Sequence, residues 1–151
     1  MVKKEDNIYC KINKVRTDFT ELKIKKSGEN KFQGFKYLEL KDFIPDVMKL
    51  NQKHRLISLI SIAPKSNPNR ATMEVINVDN PEEKVIFETL LPIVGAPDKD
   101  GLYPATNQVI QSIGAMETYM RRYLYMLYLE MAVDDEIDNK PIKTKARPKK
   151  K

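Results

Sequence analysis

Cysteine and histidine each occur once, at Cys10 and His54, in a chain of 151 residues. A single cysteine excludes a disulfide within the chain, and a single histidine leaves no clustered zinc-ligand set. Cys10 reads as a packing or surface residue and His54 as a polar residue near a helix end; nothing in the pattern supports a Cys10/His54 nucleophilic pair. Long apolar runs are also missing. No stretch approaches the roughly 18 uninterrupted apolar residues of a membrane span, and the start, "MVKKEDNIYC", carries no apolar signal region. A cytoplasmic protein with no membrane partner is the expectation.

The length suits one packed domain, and 32% charged with 41% apolar residues suits a globular chain with a moderate core. The formal net charge of +6 is unevenly placed. From residue 139 onward, "NKPIKTKARPKKK" holds seven Lys or Arg and no acid, so the preceding body is nearly neutral. With Pro141 and Pro148 and almost no large apolar group, residues 139–151 are expected to be a disordered basic tail. Such an arm adds affinity for a polyanion through counterion release; the competing reading is a solubilising terminus.

Ile8, Ile12, Val15, Phe19 and Leu22 recur at spacings of four and three, which predicts an amphipathic helix over about residues 5–26. Its many lysines, Lys11 and Lys14 among them, read mainly as a wet face. "SGENKFQGFKY" breaks the period and reads as a loop carrying Phe32, Phe35 and Tyr37 among lysines. Leu40, Phe43, Ile44, Val47, Met48 and Leu50 resume helical spacing, with Pro45 near the start. "RLISLISIAP", "ATMEVINV" and "KVIFETLLPIV" then alternate as strands between short turns, which predicts a three-stranded antiparallel meander.

The last element is expected to be a helix from near Thr106 to about Met131. Val109, Ile113, Met116, Met120, Leu124, Leu127 and Met131 form one stripe and are assigned to the buried seam. Arg121 and Arg122 lie off that stripe, around an arc containing Thr118 and Tyr125, with the small Gly114 one turn earlier. Cations for phosphates and flat rings for bases are what sequence-indifferent nucleic-acid binding needs. The early loop repeats the combination with Lys31, Lys36, Phe35 and Tyr37. The alternative is that these tyrosines are core or subunit-contact residues and the arginines a solvated face.

The acids Asp134, Asp135 and Asp138 raise a metal-dependent nuclease as another class, but they are sequential and no converging acids are identifiable. No glycine-rich phosphate loop precedes a Lys-Ser or Lys-Thr pair, which argues against ATP-driven strand exchange, and no cofactor is indicated. A third class is a non-enzymatic module that binds a host protein through the helical face.

"IGAMETYMRRYLYMLYLEMAVDDEID" resembles the signature of the ERF (essential recombination function) family of phage single-strand annealing proteins, through Gly114, Ala115, Thr118, Tyr119, Arg121, Arg122, Tyr123, Asp134 and Asp135. "FKYLELKDFIPDVMKLNQKHRL" is similar to the family's upstream segment through Phe35, Lys36, Tyr37, Leu40 and Lys53-His54. Where the family usually has a Leu-Gly-Ile turn before the acids, this chain has "LEMAV". The residue patterns predict an α+β fold with N-terminal helices in one domain over residues 1–138, and the resemblance, which spans about residues 35–138, implies a β-β-β-α annealing core within it. It also implies a non-enzymatic protein that assembles into rings or filaments and anneals single-stranded DNA without ATP, alongside partners such as a phage exonuclease and a single-strand-binding protein. On that basis the expected DNA contacts are Lys36, Tyr37, Thr118, Arg121, Arg122 and Tyr125, with Lys143, Lys145, Arg147, Lys149 and Lys150 from the tail.

Overall fold

Branched residues alternating with polar ones from Leu56 onward can satisfy one wet and one dry sheet face, and the chain folds accordingly. A computed structural model describes residues 6–30, 34–66 and 68–131. Its elements are α1 (Ile8–Thr20), β1 (Gly28–Asn30), β2 (Phe35–Tyr37), α2 (Leu40–Lys53), β3 (Leu56–Ile62), β4 (Arg70–Asn77), β5 (Lys84–Leu90) and α3 (Thr106–Leu129). The protein is thus α+β, and the meander predicted from the sequence is present as an antiparallel sheet in the order β3-β4-β5. Register sets Ile60 beside Met73 and Met73 beside Phe87, on the face that also carries Ala71 and Val75.

All three helices contribute to the core against that face. Ile8, Ile12, Val15 and Phe19 come from α1, Phe43, Val47 and Leu50 from α2, and Met120, Leu124, Tyr125, Tyr128 and Leu129 from α3. Each such side chain contributes roughly 1.5–3 kcal/mol by leaving water. The opposite sheet face keeps Ile57, Leu59 and Ile86 about half exposed. No described helix is long and apolar enough to cross a membrane.

Four sequence expectations need correction. Helix α1 stops at Thr20 with Glu21 as its C-cap; over residues 22–26 only Ile24 is even half-buried, so the apolar period that supports the helix has ended. Lys11 is not on a wet face: it is 8% exposed, and its Nζ donates to Asn77 Oδ1 at 2.6 Å and Asp79 Oδ2 at 2.5 Å. The segment read as a loop contains the antiparallel hairpin β1–β2. In α3, Ile113 and Leu127 are exposed, whereas Tyr125 and Tyr128 are buried in the seam.

Tyrosine explains the last correction. Its ring is a large apolar payload, and it can be buried once its hydroxyl finds a partner. Tyr128 Oη donates to Asn51 Oδ1 at 2.6 Å, and Tyr125 Oη lies 3.5 Å from Ser58 Oγ. Burial pushes the Tyr128 hydroxyl well above its ordinary pKa, so it remains a donor. Leaving Asn51 without it would cost about 1–3 kcal/mol.

Polar contacts fasten α1 to the ends of other elements. The Ile8 N–H donates to Glu83 Oε2 at 2.9 Å, and the Arg16 guanidinium donates to the Tyr128 carbonyl and to Glu130 Oε1, both at 2.7 Å. Asp18 receives Lys53 Nζ and meets His54 Nε2, both at 2.7 Å, which places His54 at the end of α2 as expected. Hydrogen bonds from Lys11, then Arg55, hold the Asp79 carboxyl below its ordinary 3.8. Those from Lys53 and His54 do the same for Asp18, and those from Asn77 and the Ile8 amide hold Glu83 below 4.5.

Because these folded-state values are depressed, their stabilisation is present above the unfolded values and is lost as pH falls through the folded ones. The melting temperature is therefore expected to be flat above about pH 5 and to fall progressively below about pH 4. Asp79→Asn should lower the plateau and shallow the acid limb; an unchanged limb in thermal melts followed by circular dichroism would count against this account.

Candidate nucleic-acid interface

The site is assembled by a close approach of two backbones' side chains, one from a hairpin and one from a helix. Hairpin pairing sets Gly28 opposite Tyr37, Glu29 opposite Lys36 and Asn30 opposite Phe35, and the turn uses Gly34 at φ 74°. Gly28 is required by the ring across from it: a Cβ there would stand 2.5 Å from Tyr37 Cε2. The glycine backbone therefore forms a seat for the Tyr37 ring. Ser27 at the hairpin's edge ties it to α2, its N–H donating to Asp42 Oδ2 at 3.0 Å, while the same oxygen receives the Glu39 N–H at 2.9 Å.

Seated in this way, Tyr37 meets α3. The Arg122 guanidinium lies 4.8 Å from the Tyr37 ring centroid, 4.9 Å from that of Tyr119 and 5.8 Å from that of Tyr123. Tyr119 and Tyr123, one helical turn apart, stack at 6.3 Å with an interplanar angle of 27°. Each ring presents a negative face to the cation, worth about 0.5–1 kcal/mol at exposed sites and more where water is excluded. Beside this cluster opens a cleft of about 540 Å³, lined by Tyr37, Glu39, Lys41, Gly114, Ala115, Thr118, Tyr119 and Arg122 among others. The Thr118 hydroxyl donates to the Gly114 carbonyl at 3.0 Å, so its oxygen sits on the helix surface at the rim.

Arg121 is separated from Arg122 by the 100° step of the helix, and it lines a different hollow with Ser58, Ile60, Ile62, Glu117 and Tyr125. Arg121 is exposed and Arg122 half-buried, and neither is ion-paired among the described residues. Lys36 is exposed on the hairpin, its side chain directed away from the Tyr37 face by strand alternation.

Of the residues expected from the sequence, Tyr37, Thr118 and Arg122 are brought together, Arg121 stands on the adjoining flank, and Lys36 is nearby in the chain on the other hairpin face. Tyr125 is a correction. Its ring is 7% exposed and meets Phe43 edge-on at 5.9 Å and 75°, so it offers no open platform for stacking. Lys31, Asp134, Asp135, Asp138, Lys143, Lys145, Arg147, Lys149 and Lys150 lie outside the described residues. Tyr119, Tyr123 and Lys41 join the site without having been singled out as contacts; the signal for the two tyrosines was their spacing of three and one from Arg122. Among the described residues no group of three His, Cys, Asp or Glu is placed to hold a metal ion.

The family model described as ERF superfamily matches residues 8–151. No curated protein and no solved structure matches the chain.

The seat beneath Tyr37 gives a direct test of this geometry. Gly28→Ala should force the ring aside with little loss of stability, because the hairpin lies at the margin of the core. The ring-current shifts that Tyr37 imposes on Arg122 side-chain protons should then diminish in NMR spectra; unchanged shifts would show that the two groups do not stack in solution.

Proposed function

The chain belongs to the ERF superfamily, a recombination and annealing kind of phage protein, and on that premise we propose that it binds single-stranded DNA and promotes ATP-independent annealing of complementary strands. The observation that carries the reading is the meeting, midway along α3, of two arginines that have no ion pair among the described residues and a tyrosine-lined cleft. Cations supply sequence-indifferent attraction to phosphates, and rings supply flat surfaces that any base can use. Arg121 and Lys36 present exposed charge, Tyr37, Thr118 and Arg122 shape the groove, and Lys143, Lys145, Arg147, Lys149 and Lys150 add affinity that falls steeply with salt. No residue is assigned a catalytic role: annealing needs strands held extended and neutralised, not a bond broken.

Self-assembly into a ring or filament belongs to the same reading. Ile110 and Ile113 on the first half of α3, Leu102 and Tyr103 on the preceding loop, and Ile57, Leu59 and Ile86 on the outer sheet face are all exposed. Two different apolar surfaces on one chain suit head-to-tail contacts, which close into rings or run on as filaments. A single strand could then run from one protomer's groove to the next. An exonuclease and a single-strand-binding protein are the partners this activity would meet.

With complementary oligonucleotides, no nucleotide cofactor and low salt, the protein is expected to pair strands faster than they pair spontaneously. Combined Arg121→Ala and Arg122→Ala replacement should weaken single-strand binding by at least about tenfold, the scale of a lost stacking or charge contact, with the fold retained in circular dichroism and a modest fall in melting temperature from the lost ring contacts of Arg122. Annealing no faster than the uncatalysed rate would sink the function, and a shift in melting temperature alone would return the arginines to a structural role. Salt-insensitive binding to a protein, with none to oligonucleotides, would replace this reading by that of an interaction module.

A further inference from the structure

Adjacent arginines in a nucleic-acid site are ordinarily assigned the same job, but this pair differs in surroundings. Arg121 is exposed, with no ring of the described residues stacked on it. Arg122 is half-buried, with three tyrosine rings within 6 Å of its guanidinium. A guanidinium held by ring faces is a poor candidate for swinging out to a phosphate, and a good candidate for a rigid, flat wall.

We propose that the cleft between Tyr37 and α3 holds one nucleobase of the bound strand per protomer, with Arg122 as a wall of that cleft and Arg121 as the phosphate contact outside it. The proposal rests on the single-stranded DNA reading above and assigns the two arginines different parts of the nucleotide. Three observations converge on it. Three planar groups, Tyr37, Tyr119 and Arg122, line the cleft, and planar groups are what a base stacks on. The small residues Gly114 and Ala115 also line it, and a Cβ at Gly114 would meet nothing within 4 Å, so there is open space beside the helix backbone at that point. It also contains the Glu39 carboxylate, whose Oε2 takes Lys41 Nζ at 2.5 Å and Ser27 Oγ at 3.3 Å. A carboxylate repels a phosphate at close range, but it accepts a hydrogen bond from the N–H that each of the four bases carries. Lys41 and Arg122 also line the cleft, so its charge does not exclude a phosphate; its planar groups and its acceptor suit a base of any identity.

Gly114→Leu adds a side chain to the cleft about two helical turns from Arg122, and replacing a mid-helix glycine by leucine favours the helix, so loss of folding is not expected to obscure the result. Using the full chain, binding to an oligothymidylate is compared with binding to an abasic strand of equal length and phosphate number, across a salt series. The wild-type protein should prefer the base-bearing strand by about tenfold, the scale of one stacked base. Gly114→Leu and Arg122→Ala should each abolish that preference and leave the slope of log affinity against log salt unchanged. Arg121→Ala should keep the preference and reduce the slope by about 0.7, one single-strand counterion.

Preference retained in Gly114→Leu, or an Arg122→Ala slope lowered as in Arg121→Ala with preference intact, would overturn the division of roles. Wild-type protein that anneals strands yet binds both oligomers equally would overturn the base cleft alone. Wild-type protein that binds neither would overturn the single-stranded DNA reading and the cleft together.

Discussion

Burial of the second half of α3 against the inner sheet face is the constraint from which the rest of the molecule follows. Met120, Leu124, Tyr125, Tyr128 and Leu129 are its buried residues, and none of residues 106–119 is buried. The mismatch is one of length: a helix of 24 residues spans about 36 Å at 1.5 Å per residue. Strands of 7 or 8 residues reach about 25 Å at 3.3 Å each. Anchoring the C-terminal half thus leaves the N-terminal half projecting past the core. Arg121 and Arg122 fall at the crossing point, where the helix is rigid because of what lies below it and accessible because of what does not lie above.

The anchored half is held by polar contacts as well as packing. Tyr128 contributes its hydroxyl to Asn51 of α2 and its backbone carbonyl to Arg16 of α1, so one residue near the end of α3 ties both other helices to α3. At the far end of α1, Lys11 is buried against Asn77 and Asp79 and the Ile8 amide is capped by Glu83. Directional contacts of this kind contribute modestly to net stability, since each replaces water. Their larger effect is on register. A helix packed by aliphatic contacts alone can rotate or slide by a fraction of a turn, and a small rotation of α3 would take Arg122 off the Tyr37 ring.

How much of this could be read in advance divides along physical lines. The sheet was legible because strand alternation is a local, period-two signal, and α2 because its apolar spacing is unambiguous from Leu40 to Leu50. Helix α3 was legible in extent but not in rotation: a stripe of aliphatic residues placed Leu127 inside and Tyr125 outside, whereas the fold does the reverse by giving Tyr125 and Tyr128 hydroxyl partners on β3 and α2. Those partners are distant in sequence, and no wheel contains them. The hairpin was missed because strands of 3 residues carry no periodicity, and what fixes them is the fit of Tyr37 over Gly28. At the candidate site, the Thr118–Tyr119–Arg121–Arg122–Tyr123 motif falls on the stretch of α3 that lines the cleft and the hollow beside it. The contact of Arg122 with Tyr37, some eighty residues away in the chain, is what distinguishes it from Arg121, and that contact belongs to tertiary structure alone.

The projecting half of α3 carries a cost that bears on how the protein works. A helical segment of about fourteen residues that rests on the core only through the half-buried Met116, with Val109 against the loop at Gly95, is marginal in water, because nucleation is unfavourable and propagation repays it slowly. It is also interrupted by Gly114, which weakens a helix interior further. Such a segment gains stability from anything that packs on it, whether a neighbouring protomer on Ile110 and Ile113 or a strand of DNA at the Gly114 cleft. When two ligands stabilise the same marginal element, each binds better in the presence of the other, since the ordering cost is met once. On the annealing reading, assembly and strand binding would be thermodynamically coupled through this half-helix without any large conformational change. The glycine that opens the cleft would also keep the segment loose enough for the coupling to matter.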